Sequence, residues 1–233
     1  MRKAPRTSVQ LQGTTGLGIP SDHLQLSRNF IRGKKMENIT LLCIGDSHTA
    51  GFPDFDPLMG GNPESSYQFW LHKGLEKKRP EKDFRLINQG MCGDTSQGIV
   101  RRLLSTFTTT QCNLVILAGG TNDLGMIGEK QIFTNLQEGY NAVRERQLPL
   151  LVPSIPPISL DAYVGRVTRL NRAIEAYALS GENVFFADWF GALKDEAGFL
   201  DDRYNAGDGV HLSIEGYERI GSLMVPLVSN VLA

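Results

Sequence analysis

Cysteine is scarce. Cys43, Cys92 and Cys112 are the three in 233 residues, an odd number with no C-x-x-C spacing, so neither a disulfide framework nor a zinc site is indicated. No apolar run approaches the ~20 residues of a membrane span. The basic N-terminus has no apolar stretch behind it, so no secretory signal is expected. With a net charge of −1 there is no electrostatic case for nucleic acid or a membrane surface as partner, and the expected place of action is the cytoplasm. No G-x-x-x-x-G-K-[ST] loop is present, and Gly90-Met91-Cys92-Gly93 lacks the dinucleotide-binding spacing. G-x-S-x-G is also missing, which excludes the usual nucleophile turn of α/β-hydrolases. No repeat of 20 to 50 residues is visible. Histidine is limited to His23, His48, His72 and His211, so imidazole chemistry has few candidates.

Charge is unevenly spread. Residues 1–35 hold seven Lys or Arg against Asp22 alone, which leaves −7 on the remainder. Turn chemistry without apolar period, as in "LQGTTGLGIPSD", marks 1–35 as a disordered basic tail. Either it is an arm for something anionic, or translation of the native protein begins at Met36; the second reading is preferred. Residues 36–233 are then one domain of ordinary size.

From Met36 onward, short apolar runs alternate with helical periods. "ITLLCI" (39–44), "FRLINQ" (84–89), "NLVILA" (113–118), "LPLLVP" (148–153) and "NVFFAD" (183–188) read as strands buried on both faces. Asn62-Pro63-Glu64 reads as N-cap, N1 proline and first-turn acid of a helix carrying Tyr67, Trp70, Leu71 and Leu75. Further stripes run through Ile132 to Val143 and Val164 to Ala178, the latter stopping at Gly181. The last starts at Ser213, and "GIVRRLLSTF" (98–107) is a weaker helix. Strand–helix alternation predicts a doubly wound α/β fold with a parallel sheet and right-handed crossovers.

In such sheets ligands bind beyond the carboxyl ends of the strands. After the first strand comes Gly45-Asp46-Ser47; after the second "NQGMCGDTS", with Gly90 and Gly93; after the third "GGTNDLG", with Asn122. A hydroxyl nucleophile would there be flanked by a glycine loop, which lets a backbone N–H approach an oxyanion, and by an amide side chain with two donors. His48 is adjacent to Ser47, and adjacent side chains diverge. His211 follows Asp208 by three residues in "GDGVHLSIEGY", a spacing that would let the carboxylate hold Nδ1–H and leave Nε2 free. An isolated D-x-x-H equally describes a surface pair capping the last helix. Asp46 reads as a turn-forming side chain, and Cys92 as a small apolar filler.

Gly45-Asp46-Ser47, Gly93 in "GDTS", Asn122 in "GTND" and Asp208-Gly209-Val210-His211 resemble, in order, the four blocks of the SGNH/GDSL hydrolase family. The resemblance spans roughly residues 38 to 230. It implies a three-layer α/β/α, flavodoxin-like single domain with five parallel strands in 2-1-3-4-5 order. It also implies Ser47 as nucleophile, His211 as general base and acid, and Asp208 as the group orienting it. The oxyanion hole would be the N–H groups of Ser47 and Gly93 with the Asn122 side chain; Gly90 is a rival, and the spacing to "DTS" favours Gly93. Leu212 stands where proline frequently follows the histidine, and His48 where leucine is common.

The expected function is therefore that of a serine esterase or acylhydrolase acting on carboxylic esters or thioesters through an acyl-enzyme, with a small-molecule ester as substrate. No metal and no cofactor is implied, and the sequence gives no reading of oligomeric state. An acyltransferase with the same site is the alternative, and a non-catalytic nucleotide-binding flavodoxin-like protein a remoter one. Phe52, Phe55, Leu58 and Met59 would either wall an acyl pocket or pack their loop onto the domain.

Overall fold

Each of the five apolar runs pairs with its neighbours as a parallel strand. The computed structural model describes residues 36–232; the basic segment 1–35, with the expectations attached to it, lies outside the described residues. The strands are β1 (Glu37–Gly45), β2 (Lys82–Gly90), β3 (Leu114–Leu117), β4 (Leu150–Pro153) and β5 (Val184–Ala187). Their spatial order is β2-β1-β3-β4-β5, which is the 2-1-3-4-5 arrangement. In the register Ile44 faces Gln89 on one side and Leu117 on the other, and Gly45 faces Gly90 at the carboxyl rim.

The strands read as continuous apolar runs because both faces are buried. Leu41 and Cys43 of β1 point into one core with Leu114, Ile116 and Leu151, and this core is closed by α2 (Tyr67–Lys78), α6 (Trp189–Leu193) and α7 (Ile214–Val231). Leu42 and Ile44 point the other way with Val115, Leu117, Leu150 and Val152. That side is closed by α3 (Ser96–Thr106), α4 (Glu129–Glu145) and α5 (Asp161–Ser180). Each buried Leu or Ile contributes roughly 2 kcal/mol of apolar burial, so both layers are anchored on β1. Complete burial also pushes the Cys43 thiol up to about 12, which keeps it protonated and inert.

One local expectation is corrected. Asn62-Pro63-Glu64 does not open α2. It forms a separate 3-10 turn over Pro63–Ser65, in which the Asn62 side chain accepts from the Glu64 amide. The next residue, Ser66, has extended backbone, so α2 begins at Tyr67. α5 does end at Ser180 with Gly181 as its C-cap, as expected, though with φ of −97°; positive φ is found at Asn183. In the loop after α1 (Ser47–Ala50), Phe55–Asp56 and Gly60–Gly61 pair as a short antiparallel ribbon. Among the described residues no helix is long and apolar enough to cross a membrane.

Candidate active site

β1 ends at Gly45 and turns at once into α1. A Cβ on Gly45 would lie 2.2 Å from Thr49 Oγ1 and 2.8 Å from the Ala118 carbonyl oxygen, so the tight start of α1 requires glycine. The buried Asp46 caps the turn, its Oδ1 accepting the His48 amide at 3.1 Å. After one turn Gly51, with φ of 108°, closes α1 by donating its N–H to the Ser47 carbonyl. Ser47 is thereby fixed at the rim of the central strand.

The loop after β2 lies against this turn. Gly90 is a packing position: a Cβ there would sit 2.0 Å from the Ala50 nitrogen, and its own N–H donates to Asn88 Oδ1 at 2.9 Å. Gly93 is different. Its φ is +76°, nothing lies within 4 Å of a Cβ placed on it, and its N–H meets no acceptor among the described residues. Of the two glycines named from the sequence, only Gly93 has an amide free to receive a ligand oxygen. Cys92 is exposed beside it rather than packed as a filler. Partial burial, then the nearby Asp56 and Asp46, raise its thiol above the ordinary range, which is unfavourable for a thiolate nucleophile.

After β3 the chain passes through Gly119 and Gly120 to Asn122, whose Nδ2 donates one hydrogen to the Asp94 carbonyl at 2.9 Å. A primary amide has a second N–H, so Asn122 is anchored and still able to donate. Asp123 secures the same loop, accepting from the Ser96 amide and hydroxyl, each at 2.8 Å. Arg102 holds the rim together. Its guanidinium donates to the carbonyls of Gly45 (2.9 Å) and Gln89, and to Asp94 Oδ2 (2.7 Å), joining β1, β2 and the Gly93 loop.

The last component comes from the segment before α7. The D-x-x-H spacing works here as a capped turn rather than as helix. Asp208 Oδ1 accepts the amides of Val210 and His211 at 2.9 and 2.8 Å, while Oδ2 lies 2.5 Å from His211 Nδ1. Partial burial opposes ionisation of Asp208, but the His211 contact and these amides prevail and hold the carboxyl at about 2. A carboxylate only accepts, so Nδ1 carries a proton, and in the neutral imidazole Nε2 is then the acceptor. That Nε2 lies 3.1 Å from Ser47 Oγ, across 164 residues of chain. Phe52 packs against His211 with ring centroids 4.5 Å apart and the rings inclined at 58°, its carbonyl held at 2.7 Å by the Tyr217 hydroxyl.

Ser47, Asp208 and His211 are thus brought into one hydrogen-bonded line. The profile of the GDSL-like lipase/acylhydrolase family matches residues 43–219. The chain belongs to this family. As a GDSL-like lipase/acylhydrolase it is an ester-acting hydrolase. Esterase TesA of Pseudomonas aeruginosa is 25% identical over 196 residues, covering 83% of this chain and 89% of that protein. Two solved structures share the fold. The lipase/acylhydrolase from Enterococcus faecalis has a TM-score of 0.65 at 21% identity, covering 82% of this chain and 96% of its own. A carbohydrate esterase family 3 protein from Talaromyces cellulolyticus has a TM-score of 0.65 at 20% identity, covering 83% of this chain and 98% of its own.

Other side chains sit where no local spacing marks them. Arg102 belongs to the weaker helical period, and nothing in its spacing marks a half-buried guanidinium reaching two strand ends. His48 points away from Ser47, its Nε2 bonded to the Val210 carbonyl at 2.9 Å. Leu58 and Met59 pack on nothing; they are 90% and 89% exposed.

Proposed function

We propose that this GDSL-family hydrolase is a serine esterase that works through an acyl-enzyme, with Ser47 as nucleophile, His211 as base and then acid, and Asp208 orienting it. The observation that carries the reading is the position of His211, with Nε2 3.1 Å from Ser47 Oγ and Nδ1 2.5 Å from Asp208. As Oγ attacks the ester carbonyl, its proton passes to Nε2, and the Asp208 carboxylate stabilises the resulting imidazolium. The developing oxyanion receives the free amides of Ser47 and Gly93 and the second N–H of Asn122. Each such donor is worth about 3 kcal/mol in the transition state. Nε2–H then protonates the leaving alkoxide or thiolate. Water, deprotonated by the same nitrogen, attacks the acyl-Ser47 carbonyl, and Oγ leaves with the proton.

The reactants are a carboxylic ester or thioester and water, and every proton moves through one imidazole. Phe52 forms an apolar wall at His211. The test is Ser47→Ala assayed with short p-nitrophenyl esters and with a fluorophosphonate label. The expected outcome is loss of both turnover and labelling in a protein that melts like wild type. Turnover retained in Ser47→Ala would overturn the reading. A chain-length series from acetyl to palmitoyl esters then defines the acyl class.

A further inference from the structure

His48 follows the proposed nucleophile in sequence, yet its ring is turned into the protein and is almost wholly buried. Its Nε2 lies 2.9 Å from the Val210 carbonyl oxygen, and a carbonyl only accepts, so Nε2 carries a proton. Its Nδ1 lies 3.4 Å from Asp46 Oδ1. A bare Nδ1 would set a lone pair against a carboxylate oxygen in a dry environment; a protonated one sets opposite charges against each other. His48 is therefore read as an imidazolium paired with Asp46. Burial opposes both charges, but their mutual attraction, helped by the Val210 carbonyl and by Asp208, prevails. The imidazole is held above its ordinary range and the Asp46 carboxyl below its own.

Val210 immediately precedes His211. The segment carrying the nucleophile and the segment carrying the base are thus joined twice, once through Ser47 and His211 and once through His48 and Val210, with the two imidazole centroids 5.7 Å apart. The Ser47–His211 contact breaks and reforms in every cycle as its proton moves. The His48–Val210 bond involves no reacting atom and persists. We propose that His48 is a positioning residue: fixed by Asp46 and donating to the Val210 carbonyl, it sets where the His211 ring stands relative to Ser47 when their own hydrogen bond is broken. This inference rests on the reading of Ser47 and His211 as nucleophile and base. The groups that face the pair are Asp208 and His211 from the loop before α7, Tyr67 from α2, Tyr217 from α7 and the Cys92 thiol from the loop after β2. Burial keeps both phenols protonated.

The test compares His48→Leu and His48→Gln with wild type in the full chain. The glutamine amide nitrogen reaches about as far as imidazole Nε2 and can donate to the same carbonyl. Three readouts are taken: kcat and KM on p-nitrophenyl acetate, amide hydrogen exchange across residues 205–213, and melting temperature against pH. His48→Leu is expected to lose at least about tenfold in kcat with little change in KM, because a misplaced base weakens the transition state and not binding. Exchange across 205–213 should accelerate in the same variant. His48→Gln should recover kcat to within about threefold of wild type and restore protection.

The pH readout follows from the direction of the His48 shift. A raised pKa in the folded state gives stability that is fully present below the unfolded value of about 6.5 and is lost as pH rises through the folded value. Wild type should lose this increment above about pH 6.5, and His48→Gln should show no such loss. A folded His48→Leu with kcat within about twofold of wild type overturns the proposal, as does a His48→Gln no better than His48→Leu in kcat and exchange. If His48→Leu does not fold, His48→Gln decides. A loss above about tenfold in kcat with 205–213 still protected then overturns it, because the link would be intact and its effect gone. Turnover that survives Ser47→Ala sinks the reading of the site, whereas unchanged exchange in His48→Leu sinks only the link.

Discussion

Replacing Asp208 by Asn keeps the size of the side chain and exchanges an acceptor for a donor where His211 Nδ1 is held. The Asn carbonyl can still accept the amides of Val210 and His211, as Oδ1 does now at 2.9 and 2.8 Å. Its NH2 then faces Nδ1 and selects the tautomer with the proton on Nε2, which cannot take a proton from Ser47. The Asp208 carboxyl stands at about 2 against an ordinary 3.8, a displacement of roughly 2 kcal/mol. Because the side chain is 48% exposed, solvent screening reduces its share of folding stability to about 1 kcal/mol. A domain of this size should then melt only about 2–4 °C lower.

Catalysis should suffer far more. The same exchange in Ser-His-Asp sites costs about 10⁴ in kcat. Water can partly replace a half-exposed carboxylate, so the expected loss is about 10²–10⁴. The assay is initial-rate hydrolysis of p-nitrophenyl acetate beside thermal melting of the same samples. A kcat within about tenfold of wild type, in a folded variant, would refute the assignment of Asp208 as the orienting group. Acid melting adds a second check. A depressed pKa contributes stability that is present above the unfolded value of about 3.9 and is lost as pH falls toward 2, so wild type should show that slope and the variant should not.

Asn122→Ala removes one of the three donors proposed for the oxyanion and should lower kcat by about 10²–10³ in the same ester assay; an unchanged kcat would exclude the side chain from that role. Gly90→Ala and Gly93→Ala should separate packing from backbone strain in thermal melts. In the first the new Cβ meets the backbone of Ala50 at 2.0 Å, so α1 must shift, at a cost of about 1–3 kcal/mol or more. In the second nothing lies within 4 Å, and only the left-handed φ is penalised, by about 1–2 kcal/mol. Equal melting temperatures for the two variants would refute the packing argument at Gly90.

The sheet was legible because β1, β3 and β4 each feed two cores, which forces every position in the run to be apolar, and a run of that length fits only a strand. Helix bounds were less legible. Asn62 and Pro63 carry genuine N-terminal chemistry, but it serves a 3-10 turn, and the Trp70 indole reaching back to the Glu64 carbonyl at 2.8 Å is a contact between residues that no stripe describes. The line Ser47–His211–Asp208 was read through family resemblance, since D-x-x-H alone does not distinguish a triad from a helix cap. The link from His48 to Val210 was not legible at all. It spans 162 residues, and local spacing carries no information about a partner so distant.

The separation of Ser47 and His211 by 164 residues has a consequence for how activity arises during synthesis. The hydroxyl leaves the ribosome early, together with the glycine and asparagine loops, and stays chemically silent while the polypeptide lengthens. Only after the segment that follows β5 has emerged and docked does the His211 imidazole come within 3.1 Å of it. On the proposed roles of Ser47 and His211, a chain cut short before residue 211 holds the hydroxyl without its base and should not turn over esters.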